Sequence, residues 1–115
     1  MISFILPFPP SVNAKYRQGG GRRSKGASVL RWEREAASVL NKQNISHITG
    51  RVIVEYRLDT PDNRERDAAN YEKYTTDFLV ARGILAGDSR RYIKKVSTEW
   101  TDNIGKVVYV TITPI

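Results

Sequence analysis

The chain has 115 residues, with 19 lysines and arginines against 12 aspartates and glutamates and a formal net charge of +7. This length suits one domain, and apolar and charged fractions of 40% and 27% are ordinary for a globular fold and speak against disorder along the whole chain. With no cysteine and a single histidine, His47, the composition excludes disulfides, thiolate-held zinc, thiol nucleophiles and multi-histidine metal centres, leaving oxygen ligands for any metal.

Ile2 to Leu6 is apolar and β-prone and reads as a first strand, stopped by Pro7 and by Pro9-Pro10. Ser11 to Gly26 holds Gly19-Gly20-Gly21 among several cations and reads as a flexible basic loop. From Ser28, a suitable N-cap, to about Gln43, Val29, Trp32, Ala36, Val39 and Leu40 recur at helical spacing and define one apolar face. Asn41 to Gly50 is turn-like, and His47 within it is expected to be exposed or locally hydrogen-bonded.

Arg51 to Leu58 alternates, with Val52, Val54, Tyr56 and Leu58 on one side, and predicts a strand ended by Asp59 to Asn63. A second helix is expected from about Asp67 to Arg82, with Gly83 in the usual place of a C-terminal glycine. Two strands follow, near Tyr92 to Trp100 and Lys106 to Thr113, with Asp102 to Gly105 expected as a hairpin connection. The order β-α-β-α-β-β predicts a single α/β domain over residues 1–115, two helices on a mixed sheet. No apolar run approaches the ~20 residues that span a membrane. The first residues lack the basic region and small-residue cleavage site of a secretion signal, so the expected location is cytoplasmic.

The basic residues are grouped. Arg17, Arg22, Arg23, Lys25, Arg31 and Arg34 form one set, and Arg64, Arg66, Arg82, Arg90, Arg91, Lys94 and Lys95 another. Such grouping suits a polyanion, nucleic acid above all. Asp67, Asn70, Lys73, Tyr74 and Asp77 recur at helical spacing, which places an acid, an amide and an amine on one side of the second helix. Asp88 follows a glycine just ahead of a strand. A capped, solvated helix and a plain turn aspartate account for these positions separately. Together, carboxylates from two elements suit Mg²⁺, which often takes one or two carboxylates plus substrate phosphate.

Three ordered segments carry a family resemblance. Leu6-Pro7-Phe8-Pro9-Pro10-Ser11-Val12-Asn13, with Tyr16 and Arg17 beyond, looks like the proline-rich N-terminal motif of the RusA family of Holliday-junction resolvases. Arg66 to Lys73, with Asp77 and Gly83 downstream, resembles that family's Arg-Asp-x-Asp-Asn-x-x-Lys helix, and Asp88-Ser89 its later acidic segment. The resemblance implies a homodimer that binds four-way junction DNA and makes paired incisions with Mg²⁺, with no membrane role and no small-molecule substrate. By position it implies Asp67, Asp88 and Lys73 as catalytic residues, with Asp67 and Asp88 on the metal and Asn70 and Asp77 behind them. It further implies DNA contacts from Asn13, Tyr16, Arg17, Arg22, Arg23, Lys25, Arg66, Arg90 and Arg91. The chain departs from the pattern at Ala69, where the second aspartate belongs, and at Gly87, where an acid often precedes Asp88. The expectation is therefore a Holliday-junction endonuclease impaired by Ala69. The alternative is a non-catalytic junction-binding protein on the same fold.

Overall fold

A computed structural model describes residues 1–11, 17–19, 22–24 and 26–115. The elements run β1 (Ile2–Pro7), β2 (Arg17–Gly19), β3 (Arg22–Ser24), α1 (Ala27–Lys42), β4 (Val52–Asp59), α2 (Ala68–Ala81), β5 (Ile93–Trp100) and β6 (Val107–Pro114). The expected α/β fold with two helices and a mixed sheet is present. The main sheet has the order β1-β6-β4-β5. The β4–β5 pair is parallel, with α2 in its crossover, and the other pairs are antiparallel.

Alternation decides which face is dry. Val52, Val54, Tyr56 and Leu58 on β4, Val108, Val110 and Ile112 on β6, and Phe4 and Leu6 on β1 all point into the core. Val29, Trp32, Ala36 and Leu40 of α1 and Tyr74, Phe78 and Leu79 of α2 cover them. Trp32 joins the helices, meeting Tyr74 and Phe78 edge-on at centroid distances of 5.3 and 4.8 Å. Tyr74 thus leaves the polar stripe expected of it and packs in the core, its hydroxyl donating to Glu33 Oε2 at 2.8 Å. The opposite sheet face carries Ile5, Glu55, Arg57 and Tyr109, all exposed.

Three other expectations are corrected. Residues read as a flexible loop contain the antiparallel ribbon β2–β3, whose strands are too short to show a period of two. Asp102 to Gly105 is not a hairpin, because β4 lies between β5 and β6. The connection crosses the end of β4, two strand spacings of ~4.8 Å, well within the reach of roughly six residues. A buried carboxylate anchors it. Asp59 accepts hydrogen bonds from the hydroxyls of Thr101 and, at 3.4 Å, Tyr109. Gly105 packs beside that carboxylate, where a Cβ would clash. The capping residue of α1 is Gly26 rather than Ser28, which already lies in the first turn. Gly83 follows α2 as expected, with φ +76° and its N–H donating to the Val80 carbonyl at 3.0 Å. His47 is exposed, its Nδ1 lying 2.6 Å from the Gly83 carbonyl.

One buried polar pair fixes α2 on the sheet. The hydroxyls of Tyr56 and Thr76 lie 2.7 Å apart. Burial pushes the Tyr56 phenol far above its ordinary range, so it stays neutral. Thr76→Val keeps the shape and strands the Tyr56 hydroxyl. It is expected to destabilise the fold by ~1–3 kcal/mol in urea denaturation. An unchanged midpoint would show that the pair does not hold the helix.

Candidate active site

The approach to α2 is built by Asp62. Its Oδ1 accepts from the Arg64 backbone N–H at 2.9 Å and from Arg66 Nη1 at 2.7 Å. These bonds hold the Asp62 carboxyl well below the usual carboxylate range, the Arg66 contact foremost. The Arg66 side chain is only 8% exposed, and its guanidinium lies over the Phe8 ring at 5.8 Å. Phe8 meets Tyr71 at 5.0 Å, and Trp32 Nε1 donates to the Pro7 carbonyl at 3.0 Å. The proline-rich segment and the start of α2, about 60 residues apart in sequence, are therefore packed against each other. Arg66, expected as a DNA contact, serves here as a bolt between them.

Asp67 is the N-cap of α2, its Oδ1 accepting from the Ala69 N–H at 3.1 Å. Its Oδ2 accepts no hydrogen bond among the described residues. Asn70 is half-buried one turn on, its N–H donating to the Asp67 carbonyl at 3.1 Å. Ala69 is exposed and brings no oxygen.

One turn further along α2, Lys73 Nζ pairs with Asp77 Oδ1 at 3.1 Å. This bond raises the Lys73 ammonium above its ordinary value, and Asp88 adds to the effect from across the cleft. The cleft is about 260 Å³ and is lined by Glu72, Lys73, Thr76, Asp77, Asp88, Lys94 and others from the start of β5. Burial raises the Glu72 carboxyl, which is half-buried on its rim. The structure thus brings together Lys73, Asp77 and Asp88, and adds Glu72, which the sequence reading passed over, and Lys94, which it grouped only with the other cations. It leaves Asp67 and Asn70 outside the cleft lining, towards the beginning of the helix. Among the described residues, no three acids are close enough to hold a metal ion on their own.

Gly87 has a structural reason. A Cβ there would lie 2.5 Å from Tyr92 Cδ2 and 2.8 Å from Cε2, so the Tyr92 ring occupies the space an acid would need. Gly87→Asp is expected to displace that ring and destabilise the fold by ~1–3 kcal/mol in thermal unfolding. Stability equal to the parent chain would mean Tyr92 yields freely.

Of the proposed DNA contacts, Arg90 and Arg91 are exposed in the turn after Asp88. Arg17, Arg22 and Arg23 fall on the β2–β3 ribbon, while Asn13, Tyr16 and Lys25 lie outside the described residues. Among the described residues, no helix is long and apolar enough to cross a membrane.

Comparison with known proteins shows the family. The family model described as Endodeoxyribonuclease RusA matches residues 7–113. A crossover junction endodeoxyribonuclease of Enterobacteria phage HK97 is 26% identical over 88 residues, covering 76% of this chain and 73% of that relative. The crossover junction endodeoxyribonuclease RusA of Escherichia coli strain K12 is 31% identical over 90 residues, covering 76% of this chain and 74% of its own length. That of Enterobacteria phage 82 is 31% identical over 87 residues, covering 74% and 72%. The family match runs from the end of β1 through the Arg66–Lys73 helix and Asp88 to β6, and the chain belongs to the RusA endodeoxyribonuclease family.

Proposed function

We propose that the chain is a structure-selective endodeoxyribonuclease acting on four-way DNA junctions, as a homodimer, in the cytoplasm of a bacterial host. The observation that carries this reading is the meeting of Lys73 and Asp88 in one polar cleft, in a chain matched to the family over residues 7–113. Two identical cleaving units related by a two-fold axis suit the symmetry of an open junction and paired cuts.

The donors here are hard oxygens, which suits Mg²⁺, and their number suits a site that substrate completes. Asp88 offers an exposed carboxylate in the cleft, and Asp67 keeps Oδ2 uncommitted. Asp88 in the cleft and Asp67 at the start of α2, outside the cleft lining, would be the carboxylates that hold Mg²⁺, with phosphate oxygens and water completing its ligands. When bound, the ion supplies a Lewis acid beside the phosphate. Lys73 offsets negative charge on the phosphoryl or leaving oxygen, and Asp77 holds its amine in place. A water attacks phosphorus as the bond to the leaving oxygen breaks, the water giving up a proton to solvent and the leaving oxygen taking one up from it. Asn70 and Asp77 orient the groups that touch the substrate. The exposed arginines hold the arms through phosphates, which position DNA without reading bases. Ala69 removes one acid from this set, and we infer that cleavage by the chain is impaired for that reason.

Competition binding tests the substrate class. Four-way junction is expected to displace a labelled junction far better than linear duplex of equal length, with binding weakening steeply as salt rises. Equal competition by duplex would contradict junction selectivity.

A further inference from the structure

We propose that Arg51, Arg90 and Arg91 form a phosphate clamp that grips one DNA backbone beside the cleavage cleft; the proposal rests on the junction-cleaving reading above. These three side chains alone line an open depression of about 440 Å³. They come from two segments. Arg51 immediately precedes β4, and Arg90 and Arg91 sit in the turn between Asp88 and β5. Sequence grouping found the last two, but Arg51 joins them only through the parallel pairing of β4 with β5.

Like charges repel, so a convergence of guanidiniums asks for an anion. Among the described residues the ion pairs engage Arg57, Arg64, Arg66 and Lys73, and none of the three arginines has an acidic partner. The cluster is also held in shape. Arg51 Nε donates to the Arg90 carbonyl at 3.0 Å, which leaves its terminal nitrogens for a ligand. The Arg51 carbonyl accepts from the Ile115 N–H at 3.1 Å. The Tyr92 and Ile93 N–H groups both donate to the Ser89 carbonyl at 2.9 Å, and the Val52 N–H donates to the Tyr92 carbonyl at 2.9 Å. Arg91 lies over the Tyr92 ring at 5.6 Å. A guanidinium fork matches two phosphate oxygens, and a fork already oriented loses less entropy on binding.

The position gives the clamp its use. Arg90 and Arg91 follow Asp88 by two and three residues, which bounds their backbone separation from it at roughly 7–11 Å. A phosphate seated on the arginines therefore sets which neighbouring phosphodiester reaches Asp88 and Lys73.

The test titrates salt against binding of the full chain to a labelled four-way junction, for the parent, Arg51→Ala, Arg51→Lys and Arg57→Ala. Arg51→Ala is expected to weaken binding ~3–30-fold and to lower the slope of log K against log salt by ~0.9, one phosphate contact. Arg51→Lys keeps the charge without the fork, so its slope should match the parent and its affinity fall between the two. Arg57, already paired with Glu99 at 3.1 Å, is the control, and its loss should change affinity less than ~2-fold. Should Arg51→Ala melt below the assay temperature, Arg91→Ala reads the same clamp. A parent slope in Arg51→Ala, or an equal loss in Arg57→Ala, overturns the clamp while junction binding stands. Failure of the parent to bind junctions at all overturns both.

Discussion

Ala69→Asp is expected to raise the rate of four-way junction cleavage in Mg²⁺ about 100-fold or more, with no loss of thermal stability. The stability half follows from the helix. Position 69 is exposed in the first turn of α2, where a carboxylate meets the positive end of the helix dipole and gains ~0.3–1 kcal/mol. No buried atom has to move to admit it. The activity half follows from charge and ligand number. The described residues hold no group of three acids able to bind an ion, and Asp67 already spends Oδ1 on the Ala69 N–H. An added carboxylate two residues beyond Asp67 supplies both an oxygen and a charge at the same end of the helix. Removing one group that stabilises transition-state charge in a preorganised site typically lowers rates by ~10²–10³-fold, and restoring it should act in reverse. Single-turnover cleavage and a melting curve on the same preparation check both halves. A variant that is stable but no faster would show that the deficit lies elsewhere in the site.

In that restored background, Lys73→Ala is expected to lower cleavage ~10²–10³-fold while junction affinity changes less than about threefold. Lys73 is one positive charge among many on a chain of net +7, so its loss removes little of the long-range attraction for DNA. Its place in the cleft is particular. Asp77 holds the amine at 3.1 Å, and Asp88 lies across from it. The raised Lys73 value means the amine stays protonated through neutral pH, so it acts as a fixed cation and not as a base. Its protonation should leave no inflection in the cleavage rate near neutrality. Equal losses in cleavage and binding would reduce Lys73 to a phosphate contact.

Periodicity made most of the fold legible. The β4 alternation and the apolar face of α1 are written in residues such as Val54, Tyr56, Trp32 and Leu40, whose burial follows directly from period, whereas Tyr74 of α2, read as part of a polar stripe, packs in the core. Neighbour choice was not. Asp102 to Gly105 has the composition of a hairpin turn, yet nothing local announces that β4 inserts between β5 and β6. That choice is made by non-local pairing and by Asp59, which is buried only once the connection has folded over it. The same limit applied to the site. Spacing placed Lys73 and Asp77 together because one helix carries both. The facing of Asp88 onto Lys73 and of Arg51 onto Arg90 depends on the β4–α2–β5 crossover. Arg66 shows a further limit: the motif names the cation, but its hold on Asp62 and Phe8 depends on the loop before α2 and on the proline-rich segment.

Incision mapping on a strand-labelled mobile four-way junction, with the Ala69→Asp chain and Mg²⁺, tests the central claim most directly. The account predicts paired cuts placed symmetrically across the branch point, absent from linear duplex and lost when Asp88→Asn is added. Cuts that ignore the branch point, or tight junction binding with no cuts at all, would contradict it.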